Sequence, residues 1–399
     1  MGAPADHFIR KVLSVPPSWP SLRSQFPTLH NVTYLNSCSL GLLSTSSRDA
    51  VNRFLDLWTQ MGASAWYGPW MAELAALRRD FASLIHASES EIALTPNISS
   101  GLAAISSSLD FSRRPNVVTT ALDFPTVAHH FLALEPRGIR TAIVPSDDNV
   151  TIDLERLAAH IDHRTALVAT SRVFFTSGWI QDIQALSKIC HDRGALLLID
   201  DYQATGQLPT DVHALGADIL ITGGLKWLLG GPGIAYMYVQ RDLIPTLQPT
   251  ATGWFAHRDQ FAFNPQKMVY KDDARRFEAG TPSMAAVYAA YAGIQLVQSI
   301  GSDALRSRTS SLTADLVSRL RSSGFHLRIP SDPARHASIT IVNARDPHRV
   351  VDGLKAQKII VDARPGGVRF SPYFYNNQED NQRAVAALSN LRDTMPGAI

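Results

Sequence analysis

A chain of 399 residues, 45% of them apolar, is long enough for a large core plus a smaller unit and too apolar for bulk disorder. Its 37 basic and 35 acidic residues leave a net charge of +2, so no polyanion-binding field is present and nucleic acid is not an implied partner. Two cysteines without a CxxC pair exclude a disulfide framework or a Cys-rich metal site, and no apolar run reaches membrane-spanning length.

The start, MGAPADHFIRKV, has no secretory apolar region, so a soluble cytoplasmic protein is expected. Pro4, Pro16, Pro17, Pro20 and Pro27 predict an irregular segment over residues 1–30. VTYLN follows as a short strand ending in the loop SCSLG. Ser46 and Asp49 have capping-box spacing. The helix behind them offers Val51, Phe54, Leu55 and Trp58 to one face. Strand and helix patterns then alternate. IALT leads into NISSGLAAISSSL, NVVTTALDF into PTVAHHFLAL, and TALVATSRV into DIQALSKICHDRG. ALLLID, ADILITG and IAYMYV are further strands. Several are apolar on both faces, as buried parallel strands are, so an α/β sheet covered by helices on both sides is expected. After RRFEAGTPS comes the helical run MAAVYAAYAGIQLVQSI, and the remainder reads as helix, strand, short helix, strand. The boundary is placed so that a large unit spans 31–284 and a smaller α/β unit spans 285–399.

Three features at predicted strand ends carry chemistry. Lys226 stands alone in ITGGLKWLLGGPG. Its stem can lie along Trp227 with the amine in water. The alternative is a desolvated amine, whose lowered pKa favours Schiff-base chemistry. Asp200 closes LLLID, where open α/β sheets bind their ligands. A carboxylate there can pair with a pyridine nitrogen and keep it protonated. Asp201 is the adjacent rival, and a solvated turn is the plainer reading of either. Gln203 is within reach of the same ring's oxygen. LTPNISSG supplies a strand, a turn and a helix start whose free N–H groups favour a phosphate, with hydroxyls from Ser99 and Ser100. Alone, that stretch is only an N-cap.

In combination and in order, LIDDYQ, GGLKWLLGGPG, RRFEAGTPS and RFSPYFYN resemble the class V aminotransferase family of fold-type I pyridoxal-phosphate enzymes. That group includes cysteine desulfurases, kynureninases and isopenicillin-N epimerase-like proteins. The likeness runs from VTYLNSCSLG to VRFSPYFYNN, over most of the sequence. It implies a large domain with a mostly parallel seven-stranded sheet and a smaller C-terminal α/β domain. It also implies pyridoxal 5'-phosphate as cofactor and a homodimer with shared active sites. By this resemblance Lys226 links covalently to the cofactor, Asp200 partners the pyridinium, Gln203 contacts the cofactor oxygen and Ser99 binds the phosphate. Phe124 in LDFPT matches an aromatic that stacks on the ring. Thr281 in GTPS matches a residue that reaches the neighbouring subunit's phosphate. Arg369 matches the arginine that grips the substrate carboxylate, for which its planar fork is suited. Arg364 is a second cation close by.

These residues serve racemisation, transamination and elimination alike. The departures from the family's patterns narrow the choice. Desulfurases place a sulfur-accepting cysteine late in the sequence, and residues 282–399 have none. Kynureninases have Asp where Val127 stands, an aromatic where Leu225 stands and His where Gln203 stands. Phe175 replaces an asparagine common in desulfurases. Cys190 fits a helical core pattern, whereas Cys38 divides between packing and a place near the substrate. Trp66, Tyr67, Trp70, Trp254, His257 and Tyr375 are candidates for a substrate wall or a dimer contact. His129, His130 and His257 are candidate extra acids or bases. The preferred expectation is a lyase that cleaves a C–S bond, or less readily a C–C bond, in the side chain of an amino acid or its conjugate. Elimination of this kind needs no second keto acid. An epimerase or aminotransferase is the alternative. A non-catalytic pyridoxal-phosphate-binding regulatory protein is another, against which Lys226 and Arg369 together argue. No HExxH or tight Cys/His/acid group points to a metal.

Overall fold

The computed structural model describes residues 18–392. Pro4, Pro16 and Pro17 of the opening segment lie outside that range. Pro20 and Pro27 each sit at the start of a short helical turn, Trp19–Arg23 and Pro27–His30.

After a two-residue strand, β1 (Thr33–Tyr34), the protein builds one large sheet from seven strands. They are β2 (Ile92–Thr95), β3 (Asn116–Thr120), β4 (Arg140–Val144), β5 (Thr165–Ser171), β6 (Leu196–Asp200), β7 (Ile219–Gly223) and β8 (Ala235–Val239). Across the sheet their order is β2-β8-β7-β6-β5-β3-β4. Only β8 runs against the rest. The α/β fold with a mostly parallel sheet is therefore as expected. β7 and β8 are buried throughout and β5 and β6 nearly so, because apolar side chains on both faces require cover on both sides. β4 has no counterpart among the predicted strands. It lies at the sheet edge, partly exposed, and opens with Arg140 and Thr141 rather than a continuous apolar run. The strand order reverses between β3 and β5, which opens a crevice beyond their carboxyl ends.

The helix Thr45–Met61 is capped two residues earlier than predicted. Ser44 is the N-cap and accepts from Ser47 N–H at 3.0 Å, while the Ser46 hydroxyl pairs with Ser44 at 2.9 Å. Of its predicted apolar face, Phe54 is buried, but Leu55 and Trp58 remain exposed. WYGPW falls at a junction: a tight turn covers Gly62–Tyr67, and Pro69 opens the helix Pro69–Leu84. Trp70 is buried against Phe54 (5.2 Å) and the half-buried Trp66 (5.0 Å), and both tryptophans line a groove with Trp58 and Met284 that is separate from the cavity at the strand ends.

The remainder follows the long helices Met284–Ile300 and Ser302–Ser322. It contributes β9 (Leu327–Arg328), β10 (Thr340–Asn343), β11 (Ile359–Ile360), β12 (Asp362–Arg364) and β13 (Gly367–Phe370). Four of these form an antiparallel sheet in the order β12-β13-β10-β9. β11 instead pairs in parallel with β1, so the start of the described residues is tied to their last third.

The segment RRFEAGTPS is anchored from within. Glu278 accepts from Arg78 at 2.7 Å and from Leu94 N–H at 3.0 Å, and both charged side chains are under 10% exposed. Glu278→Ala would leave a buried guanidinium and a backbone N–H of β2 without their acceptor. Breaking such a pair costs about 3–5 kcal/mol, so a marked drop in the midpoint of thermal unfolding is expected.

Candidate active site

The carboxyl ends of β3, β5, β6 and β7 and the helix after β2 surround a cavity of about 340 Å³. Lys226 follows β7 and reaches into it. Its Nζ lies over the ring of Tyr202 at 4.1 Å and towards that of Phe124 at 5.7 Å. Burial lowers its pKa to about 8, against the pull of the Asp200 carboxylate. Two glycines make this arrangement possible. A Cβ on Gly223 would fall 2.3 Å from the Tyr202 ring, and one on Gly41 would fall 2.1 Å from the Lys226 carbonyl. Gly41 also donates its N–H to Leu225 O at 2.8 Å, so the loop after β1 lies directly on the lysine segment.

Asp200 ends β6 and lines the cavity. It accepts from Tyr202 N–H at 3.0 Å. Burial raises its pKa to about 6, with Asp123 and Asp201 adding repulsion. Asp201 is turned away and satisfied: Arg172 grips it at 2.7 and 2.8 Å, and the Thr205 hydroxyl bonds it as well. The two adjacent carboxylates thus divide between a cavity face and a core ion pair. A carboxylate with a raised native pKa stabilises the fold only at low pH, and that contribution is lost as pH rises from about 4 through 6. Cofactor-free Asp200→Asn protein should therefore be more stable than wild type at pH 7.5, by up to about 3 kcal/mol. The difference should vanish below pH 4, as thermal unfolding across pH would show.

The helix Ile98–Ser106 points its N-terminus at the same space, with Asn97, Ile98 and Ser99 on the wall. Asn97 caps it through Ser100 N–H at 2.9 Å, and the Ser100 hydroxyl is also spent on Asn97 at 3.1 Å. Ser100 therefore does not line the cavity, and Ser99 does. Phe124 follows β3 on a loop held by buried Asp123, which accepts from Thr119, Thr120, Thr170 and Ser171 N–H. Gln203 is engaged at both ends of its amide. It donates to Cys38 O at 3.0 Å and accepts from Trp227 Nε1 at 2.9 Å, bracing the loop after β1 against the lysine segment.

Opposite these residues stand Arg369 and Arg364. Arg369 is 1% exposed and donates to Phe175 O at 3.1 Å and to the Ser39 hydroxyl at 2.6 Å. Phe175 lies 5.2 Å from Phe124 and so carries the apolar wall from the lysine to the arginine. Cys38 lines the cavity, and Cys190 is core.

A buried carboxylate without a cation bonded to it, an amine of lowered pKa, an open helix N-terminus and an aromatic face are the complement of a pyridinium nitrogen, an aldehyde, a phosphate and a flat ring. The residues present fit pyridoxal phosphate.

The model of the family "Aminotransferase class-V" matches residues 68–383. This protein belongs to the class-V aminotransferase family. It is 34% identical over 363 residues, 91% of its own length and 95% of the relative's, to the uncharacterized aminotransferase YcbU of Bacillus subtilis (strain 168). To a probable cysteine desulfurase of Methanothermobacter thermautotrophicus it is 27% identical over 400 aligned residues, spanning 93% of this sequence and 97% of that one. The apo structure of a cysteine desulfurase from Thermococcus onnurineus NA1 superposes with a TM-score of 0.85 at 22% identity, over 93% of this protein and 97% of that one. Pyridoxal phosphate is the cofactor of this class-V enzyme.

Several predicted residues lie elsewhere in the class-V enzyme. Thr281 is exposed and outside the cavity. Tyr67 is 80% exposed and meets Phe261 at 6.3 Å, and Trp254 meets the same Phe261 at 6.0 Å, so both belong to a surface aromatic patch. His257 lines a separate groove with Trp254. Tyr375 is fully buried on Ser37 at 2.7 Å, and His130 pairs with Ser106 at 2.8 Å. His129 is exposed outside the cavity. Among the lining or supporting residues that were missed are Tyr202, Ser39, Asp362, Ile98 and Val173. Tyr202 had a signal, since it lies between Asp200 and Gln203. Ser39 and Asp362 had none, because the two partners are more than 300 residues apart in sequence.

Proposed function

We propose that this enzyme is a pyridoxal-phosphate-dependent lyase that breaks a C–S bond, or less readily a C–C bond, in the side chain of an amino acid or its conjugate. The supporting observation is the economy of the cavity: one amine, Lys226, one free carboxylate grip, Arg369, and a wall of Ile98, Phe124, Val173, Phe175 and Leu225. Elimination requires no more than that.

Arg369 holds the substrate carboxylate and so fixes which bonds at Cα face Lys226. Lys226 is the base that takes the Cα proton, and a pKa near 8 suits that task at neutral pH. Asp200, ionised, would pair with the ring nitrogen of the bound cofactor, and the start of the helix Ile98–Ser106, with Ser99, would hold its phosphate. The bound cofactor supplies an electron sink for the carbanion. The leaving group departs from the β-carbon, and water completes release of a keto acid and ammonia. A two-base epimerisation needs a second acid–base group; His129, His130 and His257 do not line the cavity, and Cys38 and Tyr202 are the lining groups that would have to serve. Transamination is the second reading, favoured by the name of the 34% identical Bacillus relative.

We also assign residues 31–284 to the cofactor unit and 285 onward to the smaller unit, since each sheet of four or more strands falls within one of them. A homodimer is supported by the exposed patch of Tyr67, Trp254, Phe261 and Phe263. Thr281 would then reach the partner's phosphate. Two free cysteines and the lack, among the described residues, of a helix long and apolar enough to cross a membrane accord with a cytoplasmic place.

The test is a panel of amino acids and apolar S-conjugates of cysteine given to the holoenzyme without a keto acid. Keto acid, ammonia and a thiol or sulfide in equal amounts are expected. Product only after adding a keto acid, or Cα deuterium exchange with the side group intact and optical purity lost, would overturn the lyase reading.

A further inference from the structure

We propose that Asp362 sets the charge of the substrate: it neutralises Arg364 and leaves Arg369 to take one carboxylate, so the cavity accepts amino acids with an uncharged, apolar side chain. This rests on the reading of Arg369 as the carboxylate grip.

Asp362 lies opposite Arg369 in the β12–β13 register, and Arg364, two residues on, shares its face of the strand. A single oxygen, Asp362 Oδ2, gathers three partners: the Ser39 hydroxyl at 2.5 Å, Arg364 Nη2 at 2.6 Å and Arg369 Nη2 at 3.0 Å. Arg364 also donates through Nη1 to its neighbour, Ala363 O, at 2.6 Å. Arg369 spends Nη1 on Phe175 O at 3.1 Å and Nη2 on Ser39 and Asp362, which leaves its buried Nε without a partner.

The charges close around one ligand carboxylate. Arg364 and Arg369 carry two positive charges and Asp362 one negative. Burial alone would raise the Asp362 carboxyl, but Ser39 and the two guanidiniums outweigh it and hold it below the usual range, so the negative charge persists in all ordinary buffers. The other charged pair on the wall, Lys226 and Asp200, balances itself. One surplus positive charge remains, matched by one substrate carboxylate. A second carboxylate on the substrate would meet Asp362 and the apolar run of Ile98, Phe124, Val173, Phe175 and Leu225. A buried charge without a partner is strongly disfavoured there. Asp362 acts through the arginines and is a positioning residue, selecting by repulsion as much as by attraction.

The experiment compares equilibrium binding of L-norvaline and L-glutamate to the holoenzyme by calorimetry. Both have five carbons, and neither has a β leaving group. Wild type is expected to favour norvaline at least tenfold. Asp362→Asn frees Arg364 and should bring glutamate level or ahead. Asp362→Asn with Arg364→Gln should restore the preference for norvaline. Arg364→Gln alone keeps the Asp362 carboxylate paired and turns it wholly to Arg369, which should weaken norvaline about tenfold. This variant tests the idea even where Asp362→Asn does not fold. Equal binding of the two ligands by wild type, or an unchanged ratio in Asp362→Asn, would overturn the assignment. Either result would leave the visible absorption band of the lysine-linked cofactor in place, so it is distinct from failure of the pyridoxal-phosphate reading.

Discussion

Lys226→Ala is expected to abolish the covalent link to the cofactor and to lower turnover by at least about 10²–10⁴-fold, the usual weight of a positioned proton carrier. The scaffold should survive the change. The lysine segment is held through its backbone, by Gly41 N–H on Leu225 O at 2.8 Å and by the Tyr373 hydroxyl on Trp227 O at 2.8 Å. The amine itself rests on the Tyr202 and Phe124 rings, so its loss strands no buried acceptor beyond Asp200. Borohydride reduction followed by peptide mass analysis should label Lys226 in wild type and nothing at that position in the variant. Turnover at the wild-type rate would remove Lys226 from the chemistry.

Arg369→Ala should act on binding more than on the chemical step. Truncating one member of a buried, hydrogen-bonded charge pair costs about 2–5 kcal/mol, so kcat/KM is expected to fall about 30- to 5,000-fold, most of it as a rise in KM. Folding is protected by the neighbours: Asp362 keeps Arg364 at 2.6 Å and Ser39 at 2.5 Å. Steady-state kinetics, with circular dichroism as the folding check, would test it. An unchanged KM would mean that the carboxylate is held elsewhere.

The elements legible in the sequence were those with a strong local signal. β5 through β8 announce themselves as short apolar runs, because burial on both faces leaves no room for polar alternation. β4 did not, since an edge strand with Arg140 and exposed positions looks like a loop. Lys226, Asp200, Ser99, Phe124, Gln203, Cys38 and Arg369 do meet at one cavity, and the strand ends and loops that carry them explain why they could be picked out. The choice between Asp200 and Asp201 turned on Arg172, 29 residues away, whose grip on Asp201 no local pattern reveals. Gln203 was legible as a position but not as a brace, because its partners are Cys38 and Trp227. The aromatic wall failed for a related reason. Composition marks WYGPW as unusual, but only packing shows Trp70 turned towards Phe54 with Trp66 against it.

The loop between β1 and the helix Thr45–Met61 constrains the order in which the molecule can be made. Ser39 meets Arg369 across 330 residues, Cys38 N–H meets the Ser371 hydroxyl across 333, and β1 waits for β11. Ribosomes add about 5–20 residues per second, so these early residues stay without their partners for roughly 20–70 s, and every strand of the large sheet is synthesised first. Contacts of such long sequence separation also form slowly after release. The Arg369 side of the cavity is thus the last part to mature, after the strands that carry Lys226 and Asp200 have been made.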